Sequence, residues 1–227
     1  AGLLRLAPEQ VGQAVGRMLE SMRLVSEPFG KTEFLYLPEI HRAEKYVAGR
    51  VTLMLDYIPE PYSGVEQSIR EIESQTGIRY GALQRRAIAD SLTKGLLILT
   101  GGPGTGKTTT LNAIIRLLEA HGEKVALAAP TGRAAKRMSE VTGKEAKTIH
   151  RLLEVDWAQE GRSSFARNEK NPLECDALVV DELSMVDVLL FESLLRALRL
   201  GCRLIMVGDY HQLPPVGAGN ILHDLIA

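Results

Sequence analysis

The chain has 227 residues, 45% of them hydrophobic and 24% charged, an ordinary globular composition that excludes a disordered, collagenous or coiled-coil protein and predicts one or two domains. Its 27 Lys and Arg against 28 Asp and Glu leave a net charge of -1. No global field marks a polyanionic partner, so any nucleic-acid site must be a local patch.

No apolar run approaches the ~18 residues that a membrane-spanning helix needs, so no membrane association is expected. Cys175 and Cys202 have no C-x-x-C or Cys/His spacing, which argues against a disulfide framework or a zinc site and for a reducing, cytoplasmic setting. The chain opens Ala1-Gly2-Leu3 with neither Met nor a secretion signal, which predicts an excised piece.

Apolar spacing predicts amphipathic helices over 8–25 and 38–57, with Phe34 to Leu37 (FLYL) as one short strand or wing between them. A third helix is predicted over 65–76, with Val65, Ile69 and Ile72 on one face and Gly77 stopping it, and a fourth over 82–92. The loop holding Pro59, Pro61, Ser63 and Gly64 is the best boundary. From Leu96 the pattern changes to short continuous apolar runs at 96–100, 125–129, 177–180 and 204–207, each ending in Gly, Pro or Asp before a helical segment. Continuous runs imply strands buried on both faces, and intervening helices imply a parallel sheet. The expected fold is α/β, with a small mostly helical module over 1–62, a helical lead-in over 63–95 and the sheet domain over 96–227.

Residues 101–108 read GGPGTGKT, after a predicted strand and before a helix over 109–120. Glycines let the backbone N–H groups of Gly102, Pro103-flanked Gly104, Thr105, Gly106 and Thr109 wrap a triphosphate, and the helix N-terminus adds partial positive charge. Lys107 would reach the β and γ phosphates of ATP, and Thr108 would place its hydroxyl on Mg2+. The bland alternative is a glycine-rich turn. Asp181 and Glu182 end the run DALVVDE. Asp181 would hold the magnesium and Glu182 would orient and deprotonate the attacking water, unless both simply cap the next helix. Gln212, in the GDYHQLPPVG turn after the last strand, is placed to report the γ phosphate, unless it is a solvated loop glutamine.

The ordered set GGPGTGKTT, APTGRAAKRM, AKTIHRLL, VVDELSMVD and GDYHQLPPVGAG resembles helicase motifs I, Ia, Ib, II and III of superfamily 1, and specifically RecD-like DNA helicases related to the alpha subunit of exonuclease V. The resemblance spans 84–220. It implies a RecA-like P-loop domain, ATP hydrolysis at an interface with a second RecA-like domain carrying motifs IV to VI, and 5' to 3' movement on single-stranded DNA. It also implies that Gln84 contacts adenine, against an exposed helix glutamine.

Over 131–151 six basic residues, Arg133, Lys136, Arg137, Lys144, Lys147 and Arg151, face only Glu140 and Glu145. Helical spacing puts Arg133, Lys136 and Arg137 on one face, with Thr131 and Gly132 preceding it. A solvated basic face is the usual reading, but the likeness to motif Ia implies that these residues hold the DNA backbone. Thr148 and His150 match motif Ib, although a lone histidine is more often a packed residue. A hairpin inserted over 152–172, with strands near 153–157 and 163–167, offers Trp157 and Phe165. In RecD-like helicases a pin here separates duplex strands; the alternative is Trp157 packed on its own domain.

The histidines show no clustering with acids, which predicts no nuclease site. Two rivals stay open: a nucleotide-switched binding module, and another P-loop ATPase such as a AAA-like assembly protein. A relaxase-linked helicase shares these motifs. No oligomer is implied.

Overall fold

The computed structural model describes residues 7–57, 62–156 and 164–227. Helix α1 (Pro8–Glu20) stops earlier than its apolar spacing predicts. Met22 adopts φ 55, and Arg23 and Leu24 donate to the Met18 carbonyl at 2.8 and 3.1 Å. The chain then enters a hairpin of β1 (Val25–Phe29) and β2 (Thr32–Tyr36). β1 is invisible to propensity because Ser26, Glu27 and Pro28 are poor strand formers, and only pairing with β2 makes it one. Pro28 is tolerated because a two-stranded ribbon has two edges.

Helix α2 (Pro38–Asp56) buries Ala43, Val47, Val51 and Met54 along one stripe. Helix α3 (Val65–Thr76) lies between Gly64 and Gly77, both left-handed, and α4 (Ala82–Thr93) leads into the sheet. The strands β3 (Leu96–Thr100), β4 (Val125–Ala129), β5 (Ala146–Thr148), β8 (Ala177–Val180) and β9 (Arg203–Gly208) form one parallel sheet in the order β3-β9-β8-β4-β5. β5 was not expected. Three residues reading AKT carry no apolar run, and an edge position needs none.

Alternate strand residues serve opposite faces. Ala177, Val179, Ile205, Val207 and Leu127 pack with α3, α4 and helix α5 (Lys107–Ala120). Leu178, Val180, Leu204, Met206 and Ala128 pack with α2 and helix α8 (Val188–Ala197). This two-sided burial is why the central strands read as unbroken apolar runs. The four buried residues of α2 thus share the apolar cluster of the sheet. Because every strand runs the same way, the segments after Thr100, Ala129, Val180 and Gly208 meet at one sheet edge.

Between β5 and β8 stand helix α7 (Ile149–Leu152) and the inserted hairpin, whose described strand residues are β6 (Val155–Asp156) and β7 (Ser164–Phe165). Leu153 and Glu154 form its turn-in, where Arg167 donates to the Leu153 carbonyl at 3.1 Å and pairs with Glu154 at 2.9 Å. Trp157 lies outside the described residues, as do Pro59 and Pro61. Among the described residues no helix is long and apolar enough to cross a membrane.

Candidate functional site

The loop from Gly101 to Gly106 wraps the Lys107 ammonium, which donates to the carbonyls of Gly101 and, at 2.8 Å, of Gly102. Thr105 donates to the Gly102 carbonyl at 2.9 Å, tightening the turn. Gly106 caps α5 at φ 81, and a Cβ there would meet Gln84 Nε2 at 2.5 Å, so only glycine fits. The loop opens on a cavity of about 450 Å3 lined by Gly102 through Thr109, Arg137, Met138, Val141, Asp181, Glu182, Asp209 and Gln212, among others. Backbone N–H groups at the start of a 14-residue helix make this an anion-binding end.

Gln84 lies behind the loop rather than on the cavity wall. Its Oε1 accepts from the Gly81 amide at 2.9 Å and its Nε2 donates to the Gly106 carbonyl at 3.4 Å. The side chain is fixed against the loop, neither freely exposed nor facing the phosphate end.

Asp181 leaves β8 with its amide bonded to the Ala128 carbonyl at 3.0 Å, and its carboxylate accepts from the Glu182 amide at 2.8 Å. Burial pushes its pKa above the ordinary carboxylate value, while the Glu182 amide and the charges of Arg137 and Lys107 oppose the rise. A desolvated carboxylate that lines the same cavity as Thr108 and the loop fits a divalent cation, which would offset that desolvation. Glu182 itself adopts φ 56, a conformation that costs a non-glycine residue about 1–2 kcal/mol. Buried Leu183 and a bond from the Met185 amide to the Glu182 carbonyl at 3.1 Å hold it there. Glu182 stands at the N-cap position of the 3-10 turn Leu183–Met185 without a side-chain cap bond, and α8 is capped by Asp187, which accepts from the Leu190 amide at 2.9 Å.

Gln212 also lines the cavity, with Oε1 accepting from the buried Ser184 hydroxyl at 2.8 Å. That bond leaves the Nε2 protons free to donate into the cavity. Its loop is clamped to the start of α8, because Val188 donates to the Ala218 carbonyl at 2.9 Å and Gly217 approaches Asp187 so closely that a Cβ would lie 2.7 Å from Asp187 Cβ. Asp209, which accepts from the His211 amide at 2.9 Å, lines the cavity, and Ser184 supports it from behind through Gln212; neither carries a sequence signal apart from the motif that contains it.

The basic segment is less uniform than its composition. In helix α6 (Gly132–Thr142), Ala135 and Met138 are buried, Thr131 caps the helix by accepting from the Ala134 amide at 3.2 Å, and Arg133 and Lys136 point outward. Arg137, one turn after Arg133, is exposed as they are but also borders the cavity. Burial of Ala135 and Met138 fixes the helix rotation and places Arg137 on the nucleotide cavity wall. Lys136, Lys144 and Lys147 pair with Glu140 at 4.0 Å, Glu119 at 2.7 Å and Glu145 at 4.0 Å, exposed pairs worth about 0–1 kcal/mol each that a polyanion can open. Thr148 caps α7 by accepting from the Arg151 amide at 3.2 Å; like Thr131, it keeps its hydroxyl proton to donate. His150 packs against Phe165 with ring centroids 6.0 Å apart, which is the packed reading.

The model of the AAA domain family matches residues 84–218. The chain is similar to the ATP-dependent RecD2 DNA helicase of Deinococcus radiodurans, 39% identical over 95% of this chain and 30% of that one. It is similar also to the RecBCD enzyme subunit RecD of Mycobacterium tuberculosis, 42% identical over 63% of this chain and 28% of that one. It therefore spans about a third of the length of these relatives. Among solved structures, the Pif1 helicase from Candida albicans is 30% identical with a TM-score of 0.47, covering 61% of this chain and 34% of that one.

Proposed function

The chain belongs to the AAA domain family and carries its RecD-like, superfamily 1 helicase form, and from this premise we propose that it binds and hydrolyses ATP to drive movement along single-stranded DNA in the 5' to 3' direction. The observation that carries this reading is the convergence of Lys107, Thr108, Asp181, Glu182 and Gln212 on one cavity at the end of a parallel sheet, beside a helix with outward-facing cations.

Lys107 exchanges its loop carbonyls for the β and γ phosphates, and the amides of Gly104 to Thr109 hold the remaining phosphate oxygens. Thr108 and Asp181 would hold Mg2+, which supplies charge neutralisation on the triphosphate. Glu182 orients and deprotonates the attacking water, and Gln212, held by Ser184, donates to the γ phosphate. Gln84 packs where it can set the loop against the adenine side. Thr131, Gly132, Arg133, Lys136, Thr148 and, less directly, His150 form the strand-facing surface.

In the whole protein a second RecA-like domain supplies arginines to the γ phosphate, a contribution worth about 10³ to 10⁵ in rate in related nucleotide hydrolases. The 227-residue chain by itself is therefore a poor hydrolase, and a steady-state rate within about tenfold of a complete helicase would overturn this. The test is titration with a fluorescent ATP analogue and magnesium. Lys107→Ala should abolish binding while Glu182→Gln retains it, and equal loss in both refutes the division of roles.

A further inference from the structure

Helix α6 presents two different sides. Arg133 and Lys136 face outward, whereas Arg137, Met138 and Val141, spaced one and four residues apart, line the nucleotide cavity with Lys107, Asp181, Glu182 and Gln212. The inner side is anchored to the helix that follows the phosphate loop: Asn112 of α5 donates to the Val141 carbonyl at 3.0 Å, and Lys144 pairs with Glu119 of α5 at 2.7 Å. The two helices thus hold a fixed relation, and Arg137 keeps its place relative to the loop.

Lys136, Lys144 and Lys147 each have a carboxylate within 4.0 Å. Arg137, like Arg133 and Arg151, has no ion-pair partner among the described residues, but of the six basic residues of this segment it is the one that lines the cavity. It stands near enough to Asp181 for its charge to act on that carboxylate. An unpaired guanidinium on the wall of a cavity that the anion-binding loop also lines suits an oxyanion, since its planar fork matches phosphate geometry. Asp181, Glu182 and Gln212 mark the end of the cavity where the terminal phosphate reacts.

We infer that Arg137 is a γ-phosphate-binding residue supplied in cis by helix α6, and that it joins the presence of a nucleoside triphosphate to the helix that carries Arg133 and Lys136. This rests on the ATP-site reading above. A diphosphate lacks the group that Arg137 holds, so the contact between α6 and the nucleotide is made in the triphosphate state and lost after hydrolysis. The arginine expected on the DNA face by spacing thereby serves the nucleotide instead.

The experiment compares Arg137→Ala and Arg137→Gln with the unsubstituted chain in three titrations: a non-hydrolysable fluorescent ATP analogue with magnesium, the matching ADP analogue, and single-stranded DNA without nucleotide. Loss of one charge-assisted contact predicts ATP-analogue binding weakened about ten- to hundredfold, with ADP-analogue and DNA affinities within about twofold. Arg137 is exposed, so the substitutions leave the fold intact; an unchanged unfolding midpoint checks this. Equal weakening of ATP and ADP, no weakening of either, or a fall in nucleotide-free DNA affinity each overturns the inference. If the unsubstituted chain binds neither nucleotide, or Lys107→Ala binds as well as it does, the ATP-site reading itself fails and the inference falls with it.

Discussion

Arg203 opens β9 at the sheet edge opposite the phosphate loop, and its replacement by Met should be the most destabilising single change outside the apolar core. Its Nε donates to Glu123 Oε1 at 2.8 Å and its Nη1 to the Lys94 carbonyl at 3.1 Å. The Tyr62 hydroxyl donates to the same carboxylate oxygen, the guanidinium lies 5.1 Å from the Tyr62 ring centroid, and Tyr62 stacks on His121 at 4.0 Å. The two charged side chains are 5% and 12% exposed, so little solvent screens them, and Glu123 Oε2 is buried without a partner among the described residues. Arg203→Met leaves that carboxylate desolvated with only a phenol beside it, which costs about 3–5 kcal/mol. For a chain of this size the midpoint of thermal unfolding should fall by roughly 6–20 °C. Adding Glu123→Gln removes the orphaned charge and should recover most of the loss, because the pair, not either residue, carries the energy. Urea unfolding of the four variants of this cycle, followed by circular dichroism, measures the coupling. Additive effects, or a loss under about 1 kcal/mol for Arg203→Met, would refute the reasoning and place the pair among the screened surface contacts.

Gly106→Ala forces a non-glycine residue to φ 81 and a Cβ to within 2.5 Å of Gln84 Nε2; it should lower stability by about 1–2 kcal/mol and weaken ATP-analogue binding, measured by denaturation and titration of the same sample. Ser184→Ala removes the hydroxyl that donates to Gln212 Oε1, so ATPase turnover in the whole protein should fall about two- to tenfold with nucleotide affinity unchanged, which steady-state rates and binding constants separate. Glu73 accepts from the Tyr80 amide at 3.0 Å and from Arg85 at 2.8 Å, and first the amide and then Arg85 hold its pKa below the ordinary carboxylate value. A group lowered in the folded state stabilises above its unfolded pKa and loses that contribution as pH falls through the folded one. Stability should therefore decline below the ordinary carboxylate range, and Glu73→Gln should flatten that part of the profile in unfolding midpoints taken across acidic pH.

Where each residue's surroundings are set by its immediate neighbours in the chain, the sequence alone was enough. The runs LLILT, VALAA and ALVV are strands over the expected residues because strands covered on both faces must be apolar throughout. Helix α3 ends at Gly77 because a left-handed terminus suits glycine. The phosphate loop reads directly because close backbone wrapping admits few residue types. Partnership across the chain was not legible. β1 exists only because β2 pairs with Ser26, Glu27 and Pro28, and β5 only because β4 offers an edge to Ala146 to Thr148. The capping of α8 by Asp187, the hold of Ser184 on Gln212, and the joining of Tyr62, Glu123 and Arg203 all depend on residues brought together by folding. Arg137 shows the difference most plainly. Periodicity assigns a residue to an arc of its helix, and Arg137 lies on the border between two arcs. Burial of Ala135 and Met138 against the rest of the molecule sets the rotation of the helix, and it leaves Arg137 exposed while placing it on the cavity wall.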